Sequence, residues 1–357
     1  VGLVERRALA DGTREEALAQ GAEGDEADPE LLERRQHLLL GFPPPQGILA
    51  LDRCDGLDGV RDGVISHQAA CNAQFDPARA KLNGKPLRCP GGADTSQRCL
   101  SDAQIQALRV FNSPIRFNFP LASGETHYPG FNTWGTDLGR PGEGVQLVVN
   151  RLGLNTLQPS YPMPVHGTGF AEGAPYHSGF WDEWVRFFVT RNPTFNSLTL
   201  DPQNPGPWQA RISELSLRQD VNRTDLSAFA RNGGKILMAH GTSDQLVSTR
   251  ATAEYYERVR RDMGPGKTQR FLRYYEIPGY GHAASTVFNA AWDSLSALED
   301  WVEQGRAPRR QVVADSVGVP GRTRPLCEYP GWPKYVGKGD VNAATSFVCV
   351  QSRKGTR

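Results

Sequence analysis

Six cysteines, Cys54, Cys71, Cys89, Cys99, Cys327 and Cys349, stand in neighbouring pairs with gaps of 17, 10 and 22 residues. They constrain this chain more than any other feature, because a cross-link pins loops that the local sequence would leave free. Six cysteines allow fifteen connectivities, and the sequential set would close three short loops. No CxxC…CxxC arrangement is present and the nearby histidines lack ligand spacing, which sets a zinc site aside. Read as structural disulfides, the six place the chain in an oxidising compartment, secreted or periplasmic. Buried free thiols are the alternative.

The 357 residues suffice for two domains, or for one large domain with an insertion. Basic and acidic residues balance, 40 against 39, whereas a field-driven nucleic-acid binder would be lopsided. No run approaches the ~18 apolar residues of a membrane span, so a membrane partner is not expected. The 38 glycines and 26 prolines predict long ordered loops. The chain opens on Val1 with no charged-then-apolar leader. Such an opening is expected of a mature end after signal removal, or of a fragment.

Two textures follow one another. Residues 29–40 read as a helix, with Asp28 able to cap and Pro29 in the first turn. From 50 to 220 the text is rich in Gly, Pro, Asn and Asp, broken by short helices at 101–111, with Ser101 as cap, and at 181–190. Near 225 the pattern changes. Residues 235–241 and 271–279 read as buried strands, 251–263 and 294–305 as helices, the last ending at Gly305. Strand, helix, strand, helix predicts a parallel α/β unit.

An acidic glycine loop occupies residues 54–65. Asp55, Asp58 and Asp62 alternate with Gly56, Gly59 and Gly63. Hard oxygen ligands on a loop that glycine lets fold tightly are what Ca²⁺ requires, and the carbonyls of Val60 and Val64 could complete the shell. It is not an EF-hand, since position 12 carries no Glu. Solvated turn aspartates are the plainer reading.

Asp244 follows the strand 235–241 by three residues, and His282 lies just past the next strand. Loops at the carboxyl ends of parallel strands carry the site in such sheets. An Asp after one strand and a His after the next matches the α/β-hydrolase order Ser…Asp…His, with His282 as general base and Asp244 fixing its tautomer. The third member is missing. None of the nineteen serines stands in G-x-S-x-G; the nearest, Ser243, lacks the second glycine and adjoins the expected acid.

Taken together, CDGLDGVRDGVI (54–65), CLSDAQ (99–104), GGKILMAHGTSD (233–244), PGYGH (278–282), WDSLSALEDWVEQGRAP (292–308) and the cysteine-bearing tail resemble the tannase/feruloyl esterase family of α/β-hydrolases over roughly 43–357. The resemblance implies exported serine esterases that cleave aromatic carboxylic esters. It implies Asp244 and His282 as acid and base, and the pairs Cys54–Cys71, Cys89–Cys99 and Cys327–Cys349. It also implies a structural Ca²⁺ held by Asp55, Asp58, Asp62 and the carbonyls of Val60 and Val64. The expected architecture is α/β: a poorly matched, partly helical segment at 1–42, a loop-rich lid at 43–225, and the last two strands and helices of a hydrolase core at 226–357. The sequence departs from the family in two ways. The serine elbow and the strands before it have no counterpart, and Ala283 stands where many members carry a cysteine tethered to one beside the serine.

Three functions are consistent with this text. The first is a secreted carboxylic ester hydrolase of hydroxycinnamate or gallate type, whose nucleophile lies in a missing N-terminal segment or a second chain. The second is an inactive secreted calcium-binding module of the same descent. The third is a carbohydrate-binding surface built on exposed Trp and Tyr.

Overall fold

The computed structural model describes residues 49–351, apart from 83, 96–98, 137–175, 284, 286 and 317. The chain divides into two compact units, Val1–His37 and Leu38–Arg357. The first lies wholly outside the described residues, as does the helix expected at 29–40.

Three sequential disulfides, Cys54–Cys71, Cys89–Cys99 and Cys327–Cys349, use all six cysteines, with Cα–Cα separations of 5.3, 4.9 and 5.5 Å. The first ends on helix α1 (Gln68–Gln74). Around it gather Leu49, Leu51, Ile65, Phe75, Leu87, Leu100 and Trp134, so the bond sits inside a small core. Helix α2 (Asp102–Asn112) joins that core through Ile105 and Leu108, three apart on one face. Its start is fixed by a capping box, in which Ser101 Oγ accepts from the Gln104 amide and Gln104 Oε1 accepts from the Ser101 amide. A second cluster joins Phe119, Val185, Val189 and Leu200 to Ile212 and Leu215 of α4 (Gln209–Gln219). Helix α3 (Tyr176–Glu183) runs on as a π-helical turn, Trp184–Val189, so this helix starts five residues earlier than the pattern predicts.

The parallel unit is present. Strand β1 (Ile236–Gly241) pairs with β2 (Leu272–Ile277) in parallel, from Ile236 opposite Leu272 to Gly241 opposite Ile277. The crossover is α5 (Thr249–Met263), capped by the Ser248 side chain. Its buried Ala253, Tyr256 and Val259 repeat at helical spacing and pack on Leu272 and Tyr274. The alternate residues Tyr275 and Ile277 face the other way, onto Val64, Phe288, Val313 and Leu326. Strand β2 is therefore covered on both faces, with Leu272 and Tyr274 buried on one and Tyr275 and Ile277 on the other. Helix α6 (Ser294–Glu303) is capped by Asp293 and stops before Gly305, whose φ of 67° is left-handed.

The tail is more ordered than its sequence suggests. Strand β3 (Val312–Asp315) lies between the two-residue strand Ala290–Ala291 and β4 (Thr323–Pro325), all antiparallel. Strand β5 (Gly331–Tyr335) pairs antiparallel with β6 (Phe347–Gln351). Pro325 and Pro333 hide these strands in the sequence, because proline lacks the ladder donor and survives only at strand ends and edges. Strand β1 has no second strand neighbour among the described residues, and Ile236 to Met238 are only half buried.

Glu276 lies on β2, its Oε1 accepting from the Tyr274 hydroxyl at 3.3 Å. Burial pushes its carboxyl up to about 7 from an ordinary 4.5. The fold then holds this proton up to about pH 7 while the unfolded chain has released it near pH 4.5. Stability falls as pH rises across that window and is complete below it. Glu276→Gln should flatten this slope in urea unfolding and leave the variant about 1–2 kcal/mol more stable near pH ~8. Parallel pH curves for the two proteins would count against it.

Candidate active site

The ends of β1 and β2 are sewn together. The Thr242 amide donates to the Ile277 carbonyl and the Ser243 amide to the Tyr280 carbonyl, both at 3.0 Å. The Gly279 amide donates to Thr242 Oγ1 at 3.3 Å. Gly241 permits this closeness, since a Cβ there would lie 2.1 Å from the Tyr280 carbonyl oxygen.

This seam brings Asp244 and His282 together. The Asp244 side chain is 3% exposed and its Oδ2 accepts from His282 Nδ1 at 3.0 Å. Its Oδ1 accepts from the Leu246 and Val247 amides at 2.7 and 3.0 Å. Burial pushes the carboxyl up, yet hydrogen bonds from His240, the Val247 and Leu246 amides and His282 outweigh it and hold the group below its usual value. The His282 side chain is 47% exposed, and its Nε2 has no hydrogen-bond partner among the described residues. An imidazole so held presents a free nitrogen to solvent, able to take a proton from a hydroxyl placed before it.

Three polar neighbours escape the sequence reading. His240, on the last turn of β1, donates through Nε2 to the same Asp244 Oδ2 at 3.0 Å. His177 sets its Nε2 at 2.9 Å from the Gln245 carbonyl oxygen, beside Phe131 and Phe111, and burial lowers its pKa. Arg324 grips the acidic loop from 262 residues away. Only His240 leaves a trace in sequence, four residues before Asp244.

Neighbouring serines are occupied. Ser243 and Ser285 donate to the carbonyls of Gly135 and Gly279 at 2.8 and 2.7 Å, Ser248 donates to that of Gly130, and all three are buried.

The acidic loop folds as a tight turn with Gly59 at φ 99° and Gly63 at φ 84°. Asp55 Oδ1 accepts from the amides of Asp62 and Gly63 at 3.1 and 3.0 Å. Asp62 Oδ1 accepts from the Val64 amide at 3.0 Å and its Oδ2 pairs with Arg324, while Arg322 donates to the Asp62 carbonyl at 2.9 Å. The amide of Val60 turns back to Asp58 Oδ1 at 3.2 Å. Asp58 is fully buried; among the described residues its Oδ2 makes no hydrogen bond of good geometry, with the Ser66 hydroxyl and the Arg324 charge its polar neighbours. Burial, with the charges of Asp62 and Asp55 adding, pushes it up to about 7. An orphaned buried carboxylate oxygen in an all-oxygen loop suits a hard cation. Among the described residues, no three His, Cys, Asp or Glu side chains are gathered closely enough to share one.

The chain belongs to the tannase and feruloyl esterase family, whose sequence pattern it matches over residues 48–350. It is 36% identical over 304 residues to an uncharacterised esterase of Agrobacterium fabrum, covering 84% of this chain and 51% of that protein. It is 34% identical over 321 residues to a mono(2-hydroxyethyl) terephthalate hydrolase of Piscinibacter sakaiensis, covering 84% and 50%. The chain thus spans about half the length of the curated relatives it matches. It shares its mixed helix-and-sheet fold with the crystal structure of feruloyl esterase B from Aspergillus oryzae, at a TM-score of 0.63 and 23% identity over 88% of this chain and 60% of that one. The tannin acyl hydrolase of Aspergillus niger superposes at a TM-score of 0.58 and 21% identity, over 89% and 57%.

Gly241→Ala tests the seam. The added Cβ meets rigid backbone, so overpacking should cost about 1–3 kcal/mol in urea unfolding. A crystal structure of the variant should show the 278–282 loop displaced from Asp244. Wild-type stability with the loop unmoved would refute this account.

Proposed function

We propose that this chain supplies the acid–base half of a serine carboxylic ester hydrolase acting on aromatic esters. The Asp244–His282 hydrogen bond is the observation that carries the reading. His282 is the general base and Asp244 fixes its tautomer and steadies the imidazolium. The nucleophilic serine comes from outside these 357 residues, on an N-terminal segment or a second chain. The absence of G-x-S-x-G from the sequence, and an edge of β1 that no other strand among the described residues covers, support that arrangement. Residues 226–357 belong to the hydrolase core, and 43–225 form a lid that selects the ester. Hydroxycinnamate, gallate and terephthalate-type esters are the class, by likeness to the feruloyl, tannin and terephthalate relatives. Three disulfides support export to an oxidising compartment. No helix among the described residues is long and apolar enough to cross a membrane.

The test joins this chain to a family segment bearing the elbow serine and assays an aromatic ester. His282→Ala should remove most of the rate and Asp244→Asn about 10⁴-fold, as a wrong tautomer does in serine hydrolases. Near-full activity in either variant would overturn the roles. No activity in the joined protein would favour the inactive calcium-binding module.

The same proposal places a structural Ca²⁺ in the acidic loop, held by Asp58, Asp55, Asp62 and the carbonyls of Val60 and Val64. Binding would draw Asp55 and Asp62 in from their present partners and give Asp58 Oδ2 a direct cationic contact. An ion bound only by the folded state stabilises it. Prolonged chelator treatment should lower the melting temperature, and Asp58→Asn should abolish that response. A melting curve indifferent to chelator and to added Ca²⁺ would remove the ion from the account.

A further inference from the structure

Two imidazoles share one carboxylate oxygen in this site, and the proposed chemistry uses only one of them. His240 Nε2 and His282 Nδ1 each lie 3.0 Å from Asp244 Oδ2. The two rings differ in setting. The His240 side chain is 12% exposed and rides on a paired strand, whereas that of His282 is 47% exposed on a loop just past Gly279 and Gly281. His240 is also held from behind, its Nδ1 lying 2.8 Å from Thr252 Oγ1 on α5.

The proton positions follow from these partners. An ionised carboxylate only accepts, so His240 Nε2 carries the proton it donates. The Thr252 hydroxyl, which can donate or accept, meets Nδ1, so both His240 ring nitrogens have partners. The Leu246 and Val247 amides hold only Oδ1. His240 is the donor on Oδ2 that rides on a paired strand, and a donor on each oxygen holds the carboxylate plane more tightly than donors on one alone. The remaining titratable neighbours that feel Asp244 are Tyr128 and His177, and the hydrogen bond of His177 goes to the Gln245 carbonyl.

We infer that His240 is a positioning residue for the acid–base pair: with Thr252 behind it, it pins Asp244 Oδ2 in the orientation that receives His282 Nδ1. The inference rests on the esterase reading above and assigns a task to a side chain that reading leaves idle. It makes Thr252, His240, Asp244 and His282 one line of hydrogen bonds running from α5 through the end of β1 to the exposed base.

The test reads the His282 ring directly, with no ester or nucleophile needed. In the ¹⁵N-labelled chain near pH ~9, above the ordinary imidazole range, long-range ¹H–¹⁵N correlations report which ring nitrogen carries the proton. The wild type should show His282 protonated at Nδ1. His240→Leu should convert a large part of the signal, roughly half, to the Nε2–H form, while His240→Gln, which keeps a side-chain N–H donor, should restore the wild-type pattern. Thr252→Val frees the back of the His240 ring and should move the His282 signal in the same direction, which covers the case of a His240→Leu protein that does not fold. A wild-type His282 tautomer in both His240→Leu and Thr252→Val would overturn the inference and leave the esterase reading intact. A wild-type His282 with no Nδ1 proton would overturn both.

Discussion

The parallel pairing of β1 with β2 levels two strand ends, and the rest of the site follows from that alignment. Gly241 stands opposite Ile277, so the loop carrying Asp244 and the loop carrying His282 leave the sheet side by side. Because Gly241 has no side chain, the backbone of 280–281 can close over it. Helix α5 and the cluster of Val64, Phe288, Val313 and Leu326 then press on opposite faces of β2 and hold the alignment rigid. The exposed His282 imidazole is thus carried on a stiff frame, which keeps its geometry with Asp244.

The loop-rich region uses other means. Its elements are short, so two of the three disulfides and two arginines, the half-buried Arg250 and the buried Arg186, carry the load that longer helices would. Arg250, projecting from α5, donates to the Asn112 carbonyl at 2.6 Å and to Asn132 Oδ1 at 3.0 Å. Asn132 in turn donates to the Thr242 carbonyl at 3.3 Å, next to the end of β1. Arg186 pairs with Asp182 at 2.7 Å and caps the chain turn at the Pro193 carbonyl. Planar guanidinium groups suit this task, because one side chain satisfies several carbonyls in a region with few regular ladders.

Sequence patterns read the regular half of the molecule well. The strands at 235–241 and 271–279 and the helices at 251–263 and 294–305 are present within a few residues, since periodicity and caps are local signals. Asp244 and His282 could be paired on paper because strand order alone places them together. His240 escaped for a related reason: it reads as one more residue of a strand, and only the register and the crossover helix set its ring against Asp244 and Thr252. Of the tail strands, β4 and β5 escaped because prolines stand in them, and β6 because its partner β5 could not be read. Arg322 and Arg324 were invisible as partners of the acidic loop, since no local pattern encodes a contact spanning more than 250 residues.

That last contact has a consequence in time. Chains emerge from their N-termini, and the acidic loop is made long before the strand that bears Arg324. Until then Asp62 has no guanidinium partner, and the loop holds three carboxylates within eight residues of one another. Closing a loop of this length carries an entropy cost, offset at the end by the pairing of Arg324 with Asp62, by its packing on the Phe347 ring 4.1 Å from the centroid, by the Arg322 bond to the Asp62 carbonyl and by the burial of Val64. The acidic loop therefore reaches its final set of partners only once the strand bearing Arg324, 262 residues further on, has been made.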